Sequence, residues 1–202
     1  MSMTQPLDQQ KAATQPLVST PRGRIIWVGY GNSNGRGSAI NGALAREVVS
    51  NIIECDLNSN APILFVVCSP GGEVNSGMAV VDAISMCRSP TVGLVLGNAS
   101  SMAAHIWLAT ETRLIGPQST VLFHDPSTVA DGKEASIIDS LDDIKAATRV
   151  MRKQLLDRSS MTKEAVEALM GRDRHLTAKE AVKLGIAHKI SATWGDVVAR
   201  II

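Results

Sequence analysis

The sequence is poor in aromatic residues and carries almost no net charge. Phe, Trp and Tyr make up 3% of the 202 residues, too few for a stacking surface that binds single-stranded nucleic acid. The 20 basic and 19 acidic residues leave a formal net charge of +1, which favours neither nucleic acid nor an anionic membrane as the main partner. We expect one globular domain with a core of Val, Ile, Leu, Ala and Met.

Cysteine is also scarce. Cys55, Cys68 and Cys87 are an odd set without C-x-x-C spacing, which argues against a disulfide framework and against a structural zinc site. We therefore expect reduced, mostly buried thiols and predict no metal and no cofactor.

Long apolar runs are missing. The first 22 residues are polar and lack the apolar segment of a secretory signal, and we interpret residues 1–22 as a flexible arm. The longest weakly polar run, at 91–109, is interrupted by Ser100, Ser101 and His105. It predicts a strand, a turn and a helix rather than a membrane span, so we expect a cytoplasmic protein.

Short apolar runs alternate with helical patterns from Arg24 onward. The runs predict strands at 25–29, 63–67, 91–96, 113–116 and 120–124. Helical faces between them are predicted from the spacing of Ile40, Leu44, Val48 and Ile52, of Val74, Met78, Val81 and Ile84, and from the segment at 100–109. Strands that alternate with helices predict an α/β domain with largely parallel pairing.

The last third of the sequence predicts a long helix. Its apolar stripe falls near a 3.5-residue spacing at Ile137, Leu141, Ile144, Met151 and Leu155. Such a stripe packs either on the body of the domain or on another subunit. Shorter helices are predicted near 163–170 and 177–185.

Two predicted strand-to-helix connections are rich in small residues. The first is Ser-Pro-Gly-Gly at 69–72, where Gly71 and Gly72 allow the backbone to approach a ligand and to point N–H groups at a developing oxyanion. The alternative is an ordinary turn. The second connection contains Ser100 and Ser101 directly before a helix, where unpaired N–H groups favour negative charge. One serine is a candidate nucleophile, and the alternative is a helix cap.

A serine nucleophile needs a base, and the sequence contains four histidines. His124 ends a predicted strand at a loop, where functional side chains are often presented. His105 lies one helical turn after Ser101 but would be carried into an apolar helix. His175 and His188 have the settings of structural histidines.

Asp173 is the candidate for the third member of a catalytic set. It stands between Arg172 and Arg174, which should keep its carboxylate ionised and able to orient an imidazolium. The alternative is a solvated surface cluster.

These motifs, in this order and at this spacing, resemble the proteolytic subunit of the Clp protease, ClpP. The match covers about residues 24–190 and consists of four separate motifs, at 69–72, 97–104, 121–126 and 172–181. In the family pattern the nucleophilic serine directly precedes methionine.

The resemblance implies a role for five residues. Ser101 would be the nucleophile, His124 the base and Asp173 its orienting carboxylate. Gly72 and the N–H group of Met102 would form the oxyanion hole. The implied reaction is the hydrolysis of peptide bonds through an acyl-enzyme.

The resemblance also implies a fold and an assembly. The fold would be a ClpP/crotonase-like α/β spiral of β-β-α units in a peptidase domain at 23–202, with the long helix as a handle. Two seven-membered rings would stack through these handles and enclose the active sites. An ATP-driven AAA+ unfoldase would supply unfolded polypeptides.

The sequence departs from the family pattern at several places. The residue after His124 is Asp125, where the family usually has glutamine, and Ala103 stands where glycine is usual. Leu64 and Val66 replace common tyrosines, and residues 1–22 do not match the axial loop. We interpret the chain as a divergent member, such as a second paralogue.

Two other functions fit the same sequence. One is a weakly active or regulatory subunit of a heteromeric Clp-type protease, with a second ClpP-type subunit as partner. The other is a crotonase-like acyl-CoA enzyme, which would use the backbone donors without a serine nucleophile. We also predict poor coupling to an unfoldase when the chain acts alone, because aromatic side chains supply much of the contact area in docking pockets.

Overall fold

A computed structural model describes residues 24–30, 38–127 and 132–201. The arm predicted at 1–22 lies outside these residues. The elements follow one another as β1 (Ile25–Val28), α1 (Gly42–Asn58), β2 (Ile63–Ser69), α2 (Val74–Met86), β3 (Thr91–Ser100), α3 (Met102–Ala109), β4 (Thr112–Ile115), β5 (Thr120–Leu122), α4 (Glu134–Asp157), α5 (Lys163–Met170), β6 (His175–Thr177), α6 (Ala178–Lys183), β7 (Lys189–Ile190) and α7 (Trp194–Val198).

The strands form one mostly parallel sheet. Its main path runs in the order β1-β2-β3-β4-β7, and all of these neighbours are parallel. The end of β3 leaves β4 and pairs with β5, which is bordered in turn by the antiparallel strand β6. The α/β class and the largely parallel pairing predicted from the sequence are confirmed.

The core lies mainly between the sheet and the helices on one of its faces. Besides aliphatic residues it contains three large rings, Phe65, Trp107 and Phe123, all fully buried. A smaller cluster on β2, β3 and β4 includes Leu64 and is joined by Val197 of α7. Because β2 is buried on both faces, its sequence is a continuous apolar run instead of an alternating one.

The first helical face was predicted to begin at Ile40, two residues before the helix itself begins. α1 begins at Gly42, with the Asn41 side chain accepting a hydrogen bond from the Leu44 N–H group as an N-cap. Ile40 lies before the cap and forms an isolated parallel bridge with Gly72. It is buried like its helical neighbours, so the periodicity of burial continues beyond the helix itself.

The long helix α4 packs on the body only near its C-terminal end. Met151 and Leu155 are fully buried there, whereas Ile138, Leu141 and Val150 are each about half exposed. The apolar stripe therefore divides between the two possibilities that the sequence left open. In its first part Leu141 is about half exposed, and Ile137 and Ile144 are only partly covered by the described residues. No helix in the described part of the chain is long and apolar enough to cross a membrane.

Candidate active site

Ser101 occupies a strained corner between β3 and α3. Its φ of 54° and ψ of −129° make it the one residue other than glycine with a positive φ in the described part of the chain. The Ser101 N–H group donates to the Leu122 carbonyl at 2.8 Å, and the Ser101 carbonyl accepts from the N–H groups of Ala104 and His105. Such strain persists only where the surroundings hold it and is common at functional sites.

The two adjacent serines have different partners. The Ser100 hydroxyl donates to the Asn98 side chain at 2.8 Å and is almost fully buried. The Ser101 side chain does not cap α3. Its Oγ lies 2.9 Å from Nε2 of His124, so the structure places Ser101, and not Ser100, against the predicted base.

The sheet register brings Asp173 opposite His124. Leu122 on β5 pairs with His175 on β6 in an antiparallel register. His124 lies two residues after Leu122 and Asp173 lies two residues before His175, so this register places the two residues across from each other. Nδ1 of His124 lies 2.9 Å from Oδ1 of Asp173, and the three predicted side chains form one continuous hydrogen-bonded row.

The row runs from a covered end to an open end. The side chain of His124 is 31% exposed and that of Asp173 is 81% exposed. If Nδ1 carries the imidazole proton and donates a hydrogen bond to Asp173, Nε2 is left as an acceptor for the Ser101 hydroxyl. The arrangement can remove a proton from Ser101 and stabilise the imidazolium that forms.

The Pro-Gly-Gly turn lies against the Ser101 corner. Gly71 and Gly72 have φ values of 95° and 155°, which other residues rarely adopt. A Cβ atom on Gly71 would lie 2.6 Å from the Cβ atom of Ser101, and one on Gly72 would lie 2.1 Å from the Ile40 carbonyl oxygen. Both positions therefore require glycine. Within the described residues the N–H groups of Gly72 and Met102 donate to no backbone carbonyl, which leaves both as candidate donors to an oxyanion.

Ile40 supports this turn and was not identified as part of the site from the sequence. Its N–H group donates to the Gly71 carbonyl at 2.8 Å, and its carbonyl accepts from the Glu73 N–H group at 2.8 Å. The only sequence signal was its apolar character, which was interpreted as helical. A backbone role of this kind leaves no mark on residue type.

Two of the other three histidines have structural partners. His105 is completely buried, its Nδ1 lies 2.7 Å from Oε1 of Gln154, and burial lowers the pKa of its imidazole to about 4. Nδ1 of His188 accepts from the Arg113 N–H group at 3.0 Å, and burial lowers its pKa below the ordinary value. His175 is exposed on β6.

A metal site is not found in the part of the chain that the structure describes, where no three His, Cys, Asp or Glu side chains group around a common point.

The model of the Clp protease family matches residues 36–193. This range contains every predicted site residue and most of the chain. The protein therefore belongs to the Clp protease family, as the sequence motifs indicated, and its mixed α/β architecture with a mostly parallel sheet is consistent with the ClpP fold. The family is one of ClpP-type serine peptidases, which assemble as oligomers and act on protein substrates.

Proposed function

We propose that this chain is a serine endopeptidase subunit that cleaves unfolded polypeptides inside a ring-shaped oligomer in the cytoplasm. The observation that carries the proposal is the row of two 2.9 Å contacts from Ser101 through His124 to Asp173. Family membership supports peptide-bond chemistry over the acyl-CoA alternative. The row supports it as well, because an enzyme that uses only backbone donors has no need of a Ser-His-Asp row.

The proposed reaction follows from the positions of these groups. Oγ of Ser101 attacks the scissile carbonyl carbon while its proton passes to Nε2 of His124. The N–H groups of Gly72 and Met102 stabilise the negative oxygen of the tetrahedral intermediate. His124 then gives the proton to the leaving amine, which frees the first product and leaves an acyl-enzyme on Ser101. A water molecule, deprotonated by His124, then attacks the acyl carbonyl carbon. The bond to Oγ of Ser101 breaks, His124 returns the proton to that oxygen, and the second product leaves as an acid.

The position of Ser101 before α3 favours this chemistry. The N-terminus of a helix carries a partial positive charge and unpaired N–H groups. The oxyanion of the intermediate would form directly beside it, close to the N–H group of Met102. Because the corner is already strained and held by backbone hydrogen bonds, little reorganisation is needed when the substrate binds.

The proposed assembly is a pair of stacked seven-membered rings joined through α4. Its support is the partly exposed apolar surface on the first part of that helix, where Ile138 and Leu141 are 50% and 48% exposed. Exposed apolar patches of this kind mark interaction sites.

A heteromeric assembly is the second candidate. Leu64 and Val66, which stand where the family often has docking tyrosines, are only 3% and 1% exposed. They lie in the cluster with Val197 of α7, and Ile201 packs against it. These side chains are covered by the chain's own C-terminal segment, which favours the hypothesis that a second ClpP-type subunit supplies the face for an AAA+ unfoldase.

The test of the peptidase proposal is labelling with a fluorophosphonate followed by peptide mapping. We expect the label on Ser101, with no label on Ser100 or in the Ser101→Ala variant. A label on Ser100, or none on the assembled wild-type protein, would contradict the proposal.

The test of the second candidate is the degradation of a folded, tagged protein by the chain with an unfoldase and ATP, with and without a second ClpP-type subunit. We expect efficient degradation only in the mixture. Efficient degradation by the homomer would contradict the heteromeric hypothesis and leave the peptidase proposal standing.

A further inference from the structure

Helix α4 reaches the loop that carries the candidate base. The residue after His124 is Asp125, and its carboxylate accepts two hydrogen bonds from the guanidinium of Arg152 on α4. The bond from Nε is 2.9 Å long and ends on Oδ1, and Nη2 donates to Oδ2. Both side chains are 32% exposed, so two-thirds of each is withdrawn from water. This planar bidentate geometry holds orientation better than a single contact does.

The backbone of Asp125 is held as well. Its N–H group donates to the Met170 carbonyl at the end of α5, at 2.8 Å. His124 therefore stands between strand β5 on one side and a doubly anchored residue on the other. The anchor from α5 depends only on backbone atoms, whereas the anchor from α4 depends on the identity of Arg152.

The same helix also holds the element that begins at Ser101. Gln154 lies two residues after Arg152, and its Oε1 atom is 2.7 Å from Nδ1 of His105 on α3. Its Nε2 group donates to the His105 carbonyl at 3.1 Å. Together the two contacts bind the first turn of α3 to α4, directly behind Ser101.

We propose that Arg152 and Gln154 are positioning residues, which together fix the separation between Oγ of Ser101 and Nε2 of His124. This inference rests on the proposed function of those two residues. One side chain anchors the loop of the base and the other anchors the helix of the nucleophile, and both extend from one rigid segment of α4. Proton transfer requires a hydrogen-bond distance, and a displacement of about 1 Å can cost on the order of 10²-fold in rate.

If Arg152 and Gln154 only stabilised the fold, their replacement would not slow the chemistry of the assembled enzyme. Exposed ion pairs contribute little to stability, and a small change in stability leaves the rate constants of the folded enzyme unchanged. The adjacent pair of Lys153 and Asp157, whose side chains are 74% and 51% exposed, is of that kind. It lies on the same helix and has no contact with the site, so Lys153→Ala is a matched control.

The experiment compares assembled, full-length Arg152→Met, Arg152→Lys, Gln154→Met and Lys153→Ala with the wild-type protein. We expect the kcat for a small peptide to fall about 10-fold to 10²-fold in Arg152→Met and Gln154→Met, with KM within about twofold. The rate of fluorophosphonate labelling at Ser101 should fall by a similar factor. Arg152→Lys should recover part of the loss, because it keeps the charge without the bidentate geometry. Lys153→Ala should match the wild type.

The outcomes separate this inference from the proposed function. If the wild type labels and cleaves but Arg152→Met does so at the same rate, the positioning role is wrong and the peptidase proposal stands. If the wild type neither labels nor cleaves, the peptidase proposal is wrong and the inference falls with it. If Arg152→Met does not assemble, Asp125→Glu decides, since it keeps the charge and shifts the carboxylate by one carbon. A wild-type kcat in an assembled Asp125→Glu variant would overturn the inference.

Discussion

The two ends of the candidate catalytic row differ sharply in their surroundings. Ser101 leads into α3, whose first residues Met102 and Ala103 are completely buried, and its backbone is held by three hydrogen bonds. At the other end, 81% of the Asp173 side chain is exposed. The chain's own core thus places the nucleophile rigidly, whereas an exposed carboxylate is solvated and less firmly held. We infer that the acidic end depends more on assembly than the nucleophilic end does.

The largest expected effect is at the nucleophile. Ser101→Ala should lower kcat for a peptide substrate by about 10⁴-fold or more, because the proposed catalytic triad would lose its nucleophile. The Ser101 side chain does not cap α3, so its removal should leave the fold unchanged, and the assembly with it. Ser100→Ala is the matched control and should retain most of the activity. The measurement is kcat for oligomers of each variant separated by size. Equal losses of kcat in the two variants would contradict the prediction.

The next effect concerns the stability of the protein at acid pH, which depends on His105 in the helix that follows Ser101. Burial lowers the pKa of His105 from 6.5 to about 4. Because the unfolded chain then binds this proton more readily, the free energy of unfolding should fall as the pH drops from about 6.5 to about 4, by about 3 kcal/mol from this group. Below that range the group adds no further loss.

The measurement is urea unfolding at several pH values, at one protein concentration. His105→Phe combined with Gln154→Leu removes the titrating ring and its polar partner together, so the decline between pH 6.5 and 4 should be shallower in the double variant. Wild-type pH dependence in that variant would exclude His105 as a source of acid sensitivity.

The third prediction probes the Pro-Gly-Gly turn, whose Gly72 N–H group is proposed to stabilise the oxyanion. Gly72→Val should lower kcat by about 10²-fold, the scale of losing one donor, because its Cβ atom would meet the Ile40 carbonyl oxygen at 2.1 Å and displace the turn. Gly42→Ala is the control, since a Cβ atom there meets only the Ser76 hydroxyl, at 3.9 Å. Near-normal turnover in an assembled Gly72→Val protein would remove Gly72 from the site.

The smallest effect is expected at the partly exposed apolar stripe of α4. It tests whether the Asp173 end of the row depends on assembly more than the Ser101 end does. Leu141→Glu should leave the fold intact, because Leu141 is 48% exposed, and should reduce the size of the particle in sedimentation. Specific activity should fall about tenfold at low protein concentration and recover at high concentration, by mass action. The neighbouring variant Asp139→Asn should behave as the wild type. A fully active monomer of Leu141→Glu would show that Asp173 needs no assembly.

Much of the fold could be predicted because burial leaves a periodic mark on the sequence. The continuous apolar run at 63–67 indicated a buried strand, and β2 is buried along nearly all of its length. The prediction was less good where the backbone, and not the side chain, decides the role. Ile40 was assigned to a helix from its spacing, yet it bridges the Pro-Gly-Gly turn. Its side chain is buried in either arrangement, so the sequence pattern is the same.

The sequence by itself determined the alternation of strands and helices, the family, and the residue types that a serine peptidase requires, because these are properties of local composition and of motif spacing. The residue pattern left the two adjacent serines open, and the family resemblance chose Ser101. Only the tertiary structure showed that its hydroxyl lies against His124 and how far Asp173 is exposed. Only it showed that Arg152 and Gln154 reach the site from α4. Those facts depend on the register between β5 and β6 and on the packing of α4 against α3. Register and packing arise from contacts between residues far apart in the chain, which local patterns do not specify.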